Sequence, residues 1–247
     1  ACEARGHKVT LFEQSDRLGG LLKHADVCSF KWPIRQYKDW LIYQLGKHSV
    51  CIRLNTKATA ELLAQEGFDE VIVAVGSSPV LPSRIKGLER DNVWTAVDVY
   101  GNEEKLAHEV VVIGGGQVGC ETGVHYGTNG KQVTILEMQP SLAPDAMRTY
   151  REELEGQVHD HCTAITNARV TKIEADGVTY TDAAGESHKV PCDTVILAVG
   201  MKALTAEAET FRGCAENFRK LGDCVKVGNV KTVTRAAFDA AMTLGAY

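Results

Sequence analysis

Residues 108–137 read HEVVVIGGGQVGCETGVHYGTNGKQVTILE. An apolar run ends at Ile113 and passes straight into Gly114-Gly115-Gly116, with Gly119 three residues further on. A helically patterned stretch follows, Gly130 stops it, and a β-branched run ends on Glu137. Strand, glycine turn, helix, strand and acid in that order are the plan of a βαβ unit that holds a dinucleotide. Each part has a mechanical reason. Gly114 lets the strand turn sharply, Gly116 lets backbone approach a pyrophosphate, and Gly119 lets the helix pack on the strand. The phosphates then meet free N–H groups at the positive end of a helix dipole. Glu137 stands 23 residues after Gly114, close to the spacing of about 20 at which an acid grips an adenosine ribose.

The unit recurs. GHKVTLFE at 6–13 matches GKQVTILE at 130–137, and DEVIVAVGSSP at 69–79 matches DTVILAVGMKA at 193–203. Glu13 and Glu137 are 124 residues apart, as are Ala74 and Ala198. One offset shared by two separate matches implies two copies of a nucleotide-sized module, with equal spacing between the matched strings. Moved back by that offset, the glycine turn of the first copy falls before Ala1. The chain is therefore expected to begin inside a crossover helix, ACEAR, ended by Gly6. It reads as a C-terminal piece of a longer polypeptide without its first glycine turn, and the open sheet slot is expected to favour self-association by strand addition.

Strands at 8–13, 50–54 and 70–75 and helices at 33–46 and 59–66 account for the rest of the first copy. The link SSPVLPSRIKG, 77–87, carries two prolines and marks a crossing between domains. Turns at Asp176-Gly177 and Ala184-Gly185 predict a small antiparallel meander before the last parallel strand. The tail from Arg219 completes the first sheet. The expected architecture is α/β, two Rossmann-like domains with one inserted in the other: residues 1–81 plus 201–247, interrupted by 82–200.

Composition narrows the function. The chain has 247 residues, 44% apolar and 24% charged, with a net charge of −5 and both signs interspersed. That balance argues against an electrostatic nucleic-acid binder. Apolar runs such as VIVAV at 71–75 are far shorter than the roughly 20 residues of a membrane-spanning helix, so no membrane partner is expected, and no targeting leader is visible. Eight cysteines, at 2, 28, 51, 120, 162, 192, 214 and 224, include no C-x-x-C pair. They read as buried small hydrophobes in a reducing compartment, the cytoplasm.

Glu13 followed by SDRLGG (15–20), AVGSSP (74–79), GGGQVGCE (114–121), AVG (198–200) and LGDC (221–224) together resemble the two-dinucleotide-domain flavoproteins. The wording of these motifs is most similar to the C-terminal part of the 2,4-dienoyl-CoA reductase-like NADH:flavin oxidoreductases, the group of enoate reductases and trimethylamine dehydrogenase. In that family an N-terminal barrel holds FMN beside an iron–sulfur cluster, and the C-terminal half binds FAD, or ADP alone, and passes NAD(P)H electrons forward. The resemblance implies FAD in the first domain, NAD in the inserted one, and FMN and a 4Fe-4S cluster only in a barrel absent from this chain. It places Glu13 on the FAD ribose, with Gln14, Arg17, Gly19, Gly20 and Gly76 lining the nucleotide, and Gly222-Asp223 at the ribityl chain. In the inserted domain Gly114, Gly115, Gly116, Gln117, Val118 and Gly119 surround the NAD pyrophosphate. Glu137 takes its ribose, Glu121 lies towards the nicotinamide, and Gly200 closes the site. A carboxylate at 137 repels a 2′-phosphate and no Arg follows at 138–141 (MQPS), so NADH is favoured over NADPH.

The function implied is electron transfer from NADH to FAD and onward to the FMN/iron–sulfur domain. Two alternatives stay open: a non-catalytic ADP-binding module, and a stand-alone reductase of the disulfide type, against which the missing C-x-x-C counts. No side chain needs to act as acid, base or nucleophile, so no catalytic residue is named. His159 and His161 read as two strand histidines facing one side rather than a metal pair, since no third ligand is near. Cys120 and Cys224 read as packing residues. Asp223 is either a cofactor ligand or a turn residue, Arg17 either a cofactor contact or a solvated charge. Trp32, Tyr37 and Trp40 on the 33–46 helix read as packing residues, within this chain or against the absent domain.

Overall fold

The structure, a computed structural model, describes residues 1–245. In chain order the strands are β1 (Val9–Phe12), β2 (Val50–Arg53), β3 (Glu70–Val73), β4 (Ser77–Pro79), β5 (Val93–Thr95), β6 (Glu109–Ile113), β7 (Gln132–Leu136), β8 (Thr163–Ile165), β9 (Arg169–Glu174), β10 (Gly177–Thr181), β11 (Ser187–Pro191), β12 (Thr194–Leu197), β13 (Met201–Ala203) and β14 (Asn217–Lys220). The α-helices are α1 (Leu22–Ala25), α2 (Trp32–Leu45), α3 (Ala60–Glu66), α4 (Gln117–Thr128), α5 (Arg148–His161), α6 (Thr205–Glu209) and α7 (Val230–Met242). The chain divides into two compact units. One comprises Ala1–Lys23, Pro33–Ser78 and Met201–Tyr247, the other His24–Trp32 and Pro79–Gly200. The segment His24–Trp32, which sequence reading left inside the first domain, packs with the second. Its Cys28 is wholly buried, and the Cys28 thiol lies 3.5 Å from the Tyr100 hydroxyl.

The second unit is a parallel sheet in the order β5-β12-β6-β7-β8, with the antiparallel meander β11-β10-β9 beside it. Its strands read as unbroken apolar runs because both faces are covered. Val110 and Val112 point into one core with Cys120 and Val124 of α4 and with Leu154 and Val158 of α5. Val111 and Ile113 point into the other, with Val170, Ile173 and Val178 of the meander.

The first unit holds two parallel pairs, β1 with β2 and β14 with β3, and a short pairing of β13 with β4. The tail from Arg219 therefore does enter this unit's sheet. In the second unit β6 lies between β7 and β12, the counterparts of β1 and β3. No described strand lies between β1 and β3. Its core is correspondingly thin. All four β1 residues are only half-buried, and Cys51 and Ile52 of β2 are exposed.

Backbone geometry repeats the duplication. Gly6 and Gly130, 124 apart, end their helical turns at φ +90° and +82°, and Gly76 and Gly200 follow β3 and β12 at +81° and +104°. Asn55 and Asn167, both left-handed at φ +52° and +53°, are 112 apart. The Asn55 N–H donates to the Ser15 carbonyl, and the Asn167 N–H to the Gln139 carbonyl. The constant offset of 124 thus hides two compensating differences. Copy two is 12 residues shorter before this asparagine and 12 longer after it, because its meander takes the place of α3.

Two further expectations are corrected. ACEAR forms only a 3-10 turn, Glu3–Arg5, since one turn is too short to sustain an α-helix. His159 and His161 lie on α5, not on a strand. Two residues apart on a helix they diverge, and His159 pairs with Asp160 at 3.1 Å. Trp32 and Trp40 are more than half exposed, and Tyr37 and Trp40 stack on each other with ring centres 6.1 Å apart rather than entering a core. Of the cysteines, Cys51 is exposed and Cys2 and Cys162 are half-buried, while the other five are buried; all eight are free thiols. Among the described residues no helix is long and apolar enough to cross a membrane.

Candidate dinucleotide site

The turn from β6 into α4 shows why each glycine stands where it does. Gly114 is at φ +104°, and a Cβ there would lie 2.5 Å from the Ala198 carbonyl oxygen. A Cβ on Gly119 would lie 1.9 Å from the Gly114 carbonyl oxygen, so α4 rests directly on the turn. Gly115, given no separate part by the motif, is the residue over which Glu137 crosses: a Cβ would stand 2.8 Å from the Glu137 Cβ. Gly116 is extended and precedes α4 without a side chain to cap it. A Cβ there would meet nothing nearer than 3.7 Å. Open space beside Gly116, next to the N-terminus of a twelve-residue helix, fits an approaching pyrophosphate.

Glu137 follows the last residue of β7. Its carboxylate accepts from the Gly115 N–H at 2.5 Å and the Gln139 N–H at 2.6 Å, and the residue is only 7% exposed. Two backbone donors hold an ionised acceptor at the mouth of the turn, the charge-assisted arrangement that fixes a carboxylate's direction. Residues 138–147 then fold back over the turn. The Ala143 N–H donates to the Gly115 carbonyl at 2.7 Å, and Asp145 Oδ1 accepts from the Gln117 N–H at 3.0 Å. No motif flagged Asp145, because its contact with α4 spans 28 positions of sequence.

Glu121 lies on α4, where its carboxylate is 3% exposed. Lys31 Nζ donates to it at 2.6 Å, the Tyr150 hydroxyl at 2.7 Å and Gln117 Nε2 at 3.0 Å. Burial, reinforced by the bond to Glu121, holds the Tyr150 phenol well above its ordinary range. Three donors from the His24–Trp32 segment, α4 and α5 thus converge on one acid, a network sequence reading missed because Lys31 is 90 residues away. The Val118 side chain is exposed. Cys120 donates through Sγ to the Gly115 carbonyl at 3.3 Å. Burial pushes its thiol up to about 12, so it is a protonated packing group at neutral pH.

The first unit holds its acid in the same way. Glu13 Oε1 accepts from the Ser15 N–H at 2.8 Å, as Glu137 Oε1 does from Gln139. The glycine N–H that completes this cradle in the second unit has no counterpart among the described residues of the first. Gln14 and Arg17 are exposed, and Gly19 and Gly20 turn the chain at φ +124° and +50°. Asp223 organises its own turn, accepting from the Gly228 N–H at 3.1 Å and the Ser77 hydroxyl at 3.3 Å. Gly222, Lys226, Gly228 and Val233 line a cleft of about 610 Å³ beside it. These residues fit the ribose and ribityl ends of an FAD. The phosphate-binding turn between those ends is not among the described residues. Cys224 is buried, its Sγ donating to the Leu221 carbonyl at 3.1 Å.

Elsewhere, Asp182, Glu186 and His188 bring oxygen and nitrogen atoms within 4.8 Å of one another on the β10–β11 hairpin. Asp182 is engaged there as a turn residue, accepting from the Ala184 and Glu186 N–H groups and pairing with His188 at 2.7 Å.

A βαβ module used twice, with an intact glycine turn and a cradled acid in one copy, defines a dinucleotide-binding protein of the Rossmann class. The chain belongs to the pyridine nucleotide-disulphide oxidoreductase family, which it matches over residues 4–220. It is 35% identical over 243 residues to an NADH oxidase of Thermoanaerobacter brockii, covering 96% of this chain and 37% of that protein. It is 32% identical over 252 residues to a cinnamate reductase of Clostridium sporogenes, covering 97% and 36% respectively. The solved structure of a 2-naphthoyl-CoA reductase complex superimposes with a TM-score of 0.93 at 26% identity, over 98% of this chain and 37% of that one. The chain therefore spans little more than a third of the length of each of these three proteins.

Proposed function

We propose that this chain is the electron-transfer region of an NADH-dependent flavin oxidoreductase. The second unit holds NADH, the first holds FAD, and electrons pass on to an FMN/iron–sulfur domain outside this chain. NADH supplies the hydride and the flavins carry the electrons, while the protein binds and orients. In this reading the N–H groups at the start of α4 hold the pyrophosphate. Glu137, aimed by the Gly115 and Gln139 N–H groups, takes the adenosine ribose diol. The same carboxylate repels a 2′-phosphate, which selects NADH. Glu121, with Lys31 and Tyr150, holds the α4 surface towards the nicotinamide. Glu13 and Gly222-Asp223 receive the FAD ribose and ribityl chain, with Gln14, Arg17, Gly19, Gly20, Gly76 and Gly200 lining the dinucleotides. The carrying observation is the Glu137 cradle over Gly115.

Similarity to an NADH oxidase and a cinnamate reductase supports reductive chemistry driven by NADH. The alternative reading is an ADP-binding module in which no hydride moves. Adding FAD to the purified chain and then NADH separates the two: bleaching of the flavin bands supports electron transfer. NADH binding with no bleaching, in a form that carries the upstream domain and its FAD, would leave the binding module. For the chain as given, FAD is expected to bind weakly while NADH binds the intact unit. Stoichiometric, tightly held FAD would refute that.

A further inference from the structure

We infer that Asp145 is a built-in competitor of the dinucleotide: its carboxylate occupies the Gln117 N–H that the pyrophosphate needs, so displacing it sets the affinity of the site. This rests on the reading of the glycine turn as an NADH seat. Helix α4 starts at Gln117 behind a glycine that has no side chain with which to cap it. Asp145 supplies the cap from outside the helix, Oδ1 accepting from the Gln117 N–H at 3.0 Å.

The placement is enforced. Ala143 is fully buried and stands at φ +40°, a left-handed conformation that alanine adopts only when its surroundings hold it there. It is held by its N–H on the Gly115 carbonyl at 2.7 Å, and the Ala146 N–H closes back on the Ala143 carbonyl at 3.1 Å. The strained turn aims the next acid at the start of α4.

The side of Gly116 kept open for a phosphate is where Asp145 lies: among the described residues other than Gly116 and its chain neighbours, Oδ1 is the atom that comes within 4 Å of a Cβ built there, at 3.7 Å. Carboxylate and phosphate are both anionic acceptors of the same kind of donor. They do not share one N–H, and side by side they repel. Asp145 is exposed, so its carboxylate is free to swing into water when a dinucleotide arrives. The residue keeps the helix end satisfied in the resting protein and weakens every phosphate-bearing ligand by the cost of its own removal.

The test uses the full chain with Asp145→Ala and Asp145→Asn, titrated calorimetrically with NADH, ADP-ribose and adenosine. Removing a charged competitor from a helix terminus is expected to tighten NADH and ADP-ribose about tenfold in Asp145→Ala and about threefold in Asp145→Asn. Adenosine, which carries no phosphate, should bind all three proteins alike. Melting temperature should fall in Asp145→Ala, which loses the cap, and change little in Asp145→Asn, whose amide oxygen still accepts from the Gln117 N–H. A cap that does nothing else would lower melting and leave every affinity unchanged. If the parent chain binds NADH and neither variant binds it more tightly, the inference is overturned while the NADH seat stands. If the parent chain does not bind NADH at all, the seat falls and the inference with it. Should Asp145→Ala fail to fold, the isosteric Asp145→Asn carries the decision.

Discussion

Replacing Glu137 with glutamine changes one atom and tests the nucleotide site most directly. In the parent chain two backbone N–H groups, of Gly115 at 2.5 Å and Gln139 at 2.6 Å, donate to this carboxylate. Glutamine keeps the volume but offers one acceptor oxygen, so one of the two donors faces an NH2 group. A buried donor left without a partner costs about 1–3 kcal/mol, and the unliganded protein should melt several degrees lower. Ribose hydroxyls that bonded a carboxylate would now bond an amide. Losing one charge-assisted bond of about 1.5–3 kcal/mol should weaken NADH roughly 10- to 100-fold. For NADPH a second change works the other way. A carboxylate and a phosphate charge about 4 Å apart repel by roughly 4 kcal/mol at an effective dielectric of 20, and glutamine abolishes that repulsion. The preference for NADH over NADPH should therefore shrink by two orders of magnitude or more. Dissociation constants for both coenzymes, measured by quenching of reduced-nicotinamide fluorescence on parent and variant, give the ratio. Circular dichroism confirms that both are folded. A folded Glu137→Gln protein with an unchanged NADH/NADPH ratio would refute the assignment of Glu137 to the ribose.

Gly119→Ala places a Cβ 1.9 Å from the Gly114 carbonyl oxygen, so α4 must lift from the turn. A loss of about 3 kcal/mol or more, with loss of NADH binding, should appear in thermal melts and titrations, whereas a neutral alanine would contradict the close packing. Lys31→Met leaves the Glu121 carboxylate, 3% exposed, with neutral donors only. Breaking one partner of a buried pair costs about 3–5 kcal/mol, so chymotrypsin should cut faster around Phe30 and Trp32, and adding Glu121→Gln should restore protection. Burial holds the His125 imidazole below its ordinary value of 6.5. Because the unfolded chain takes the proton first, stability is complete above about pH 6.5 and is lost as pH falls through the lowered folded value. In His125→Phe, which keeps the ring packing against Tyr126, that acid-side loss should flatten; identical denaturant midpoints against pH in both proteins would exclude the residue.

Much of this chain is written in short-range pattern. Val110–Glu137 carries strand, turn, helix, strand and acid in one continuous stretch, because a βαβ unit is a local object whose glycines answer local sterics. The duplication was legible for the same reason, as strings at matching positions. What depended on contacts between distant residues was not. The equal offset concealed a helix in one copy and a meander in the other, since a count of residues does not reveal their shape. The helix that carries His159 and His161 is not announced locally, because a polar, repeat-free stretch gives helix and strand little contrast. His24–Trp32 packs with the second unit through Cys28 with Tyr100 and Lys31 with Glu121, pairings spanning 72 and 90 positions. Asp145 reaches the start of α4 because a left-handed alanine, held by backbone hydrogen bonds to Gly115 and Ala146, turns the chain back over the glycines. A sequence specifies such long-range pairings only through the energy of the whole packed chain, and no local pattern of residues announces them.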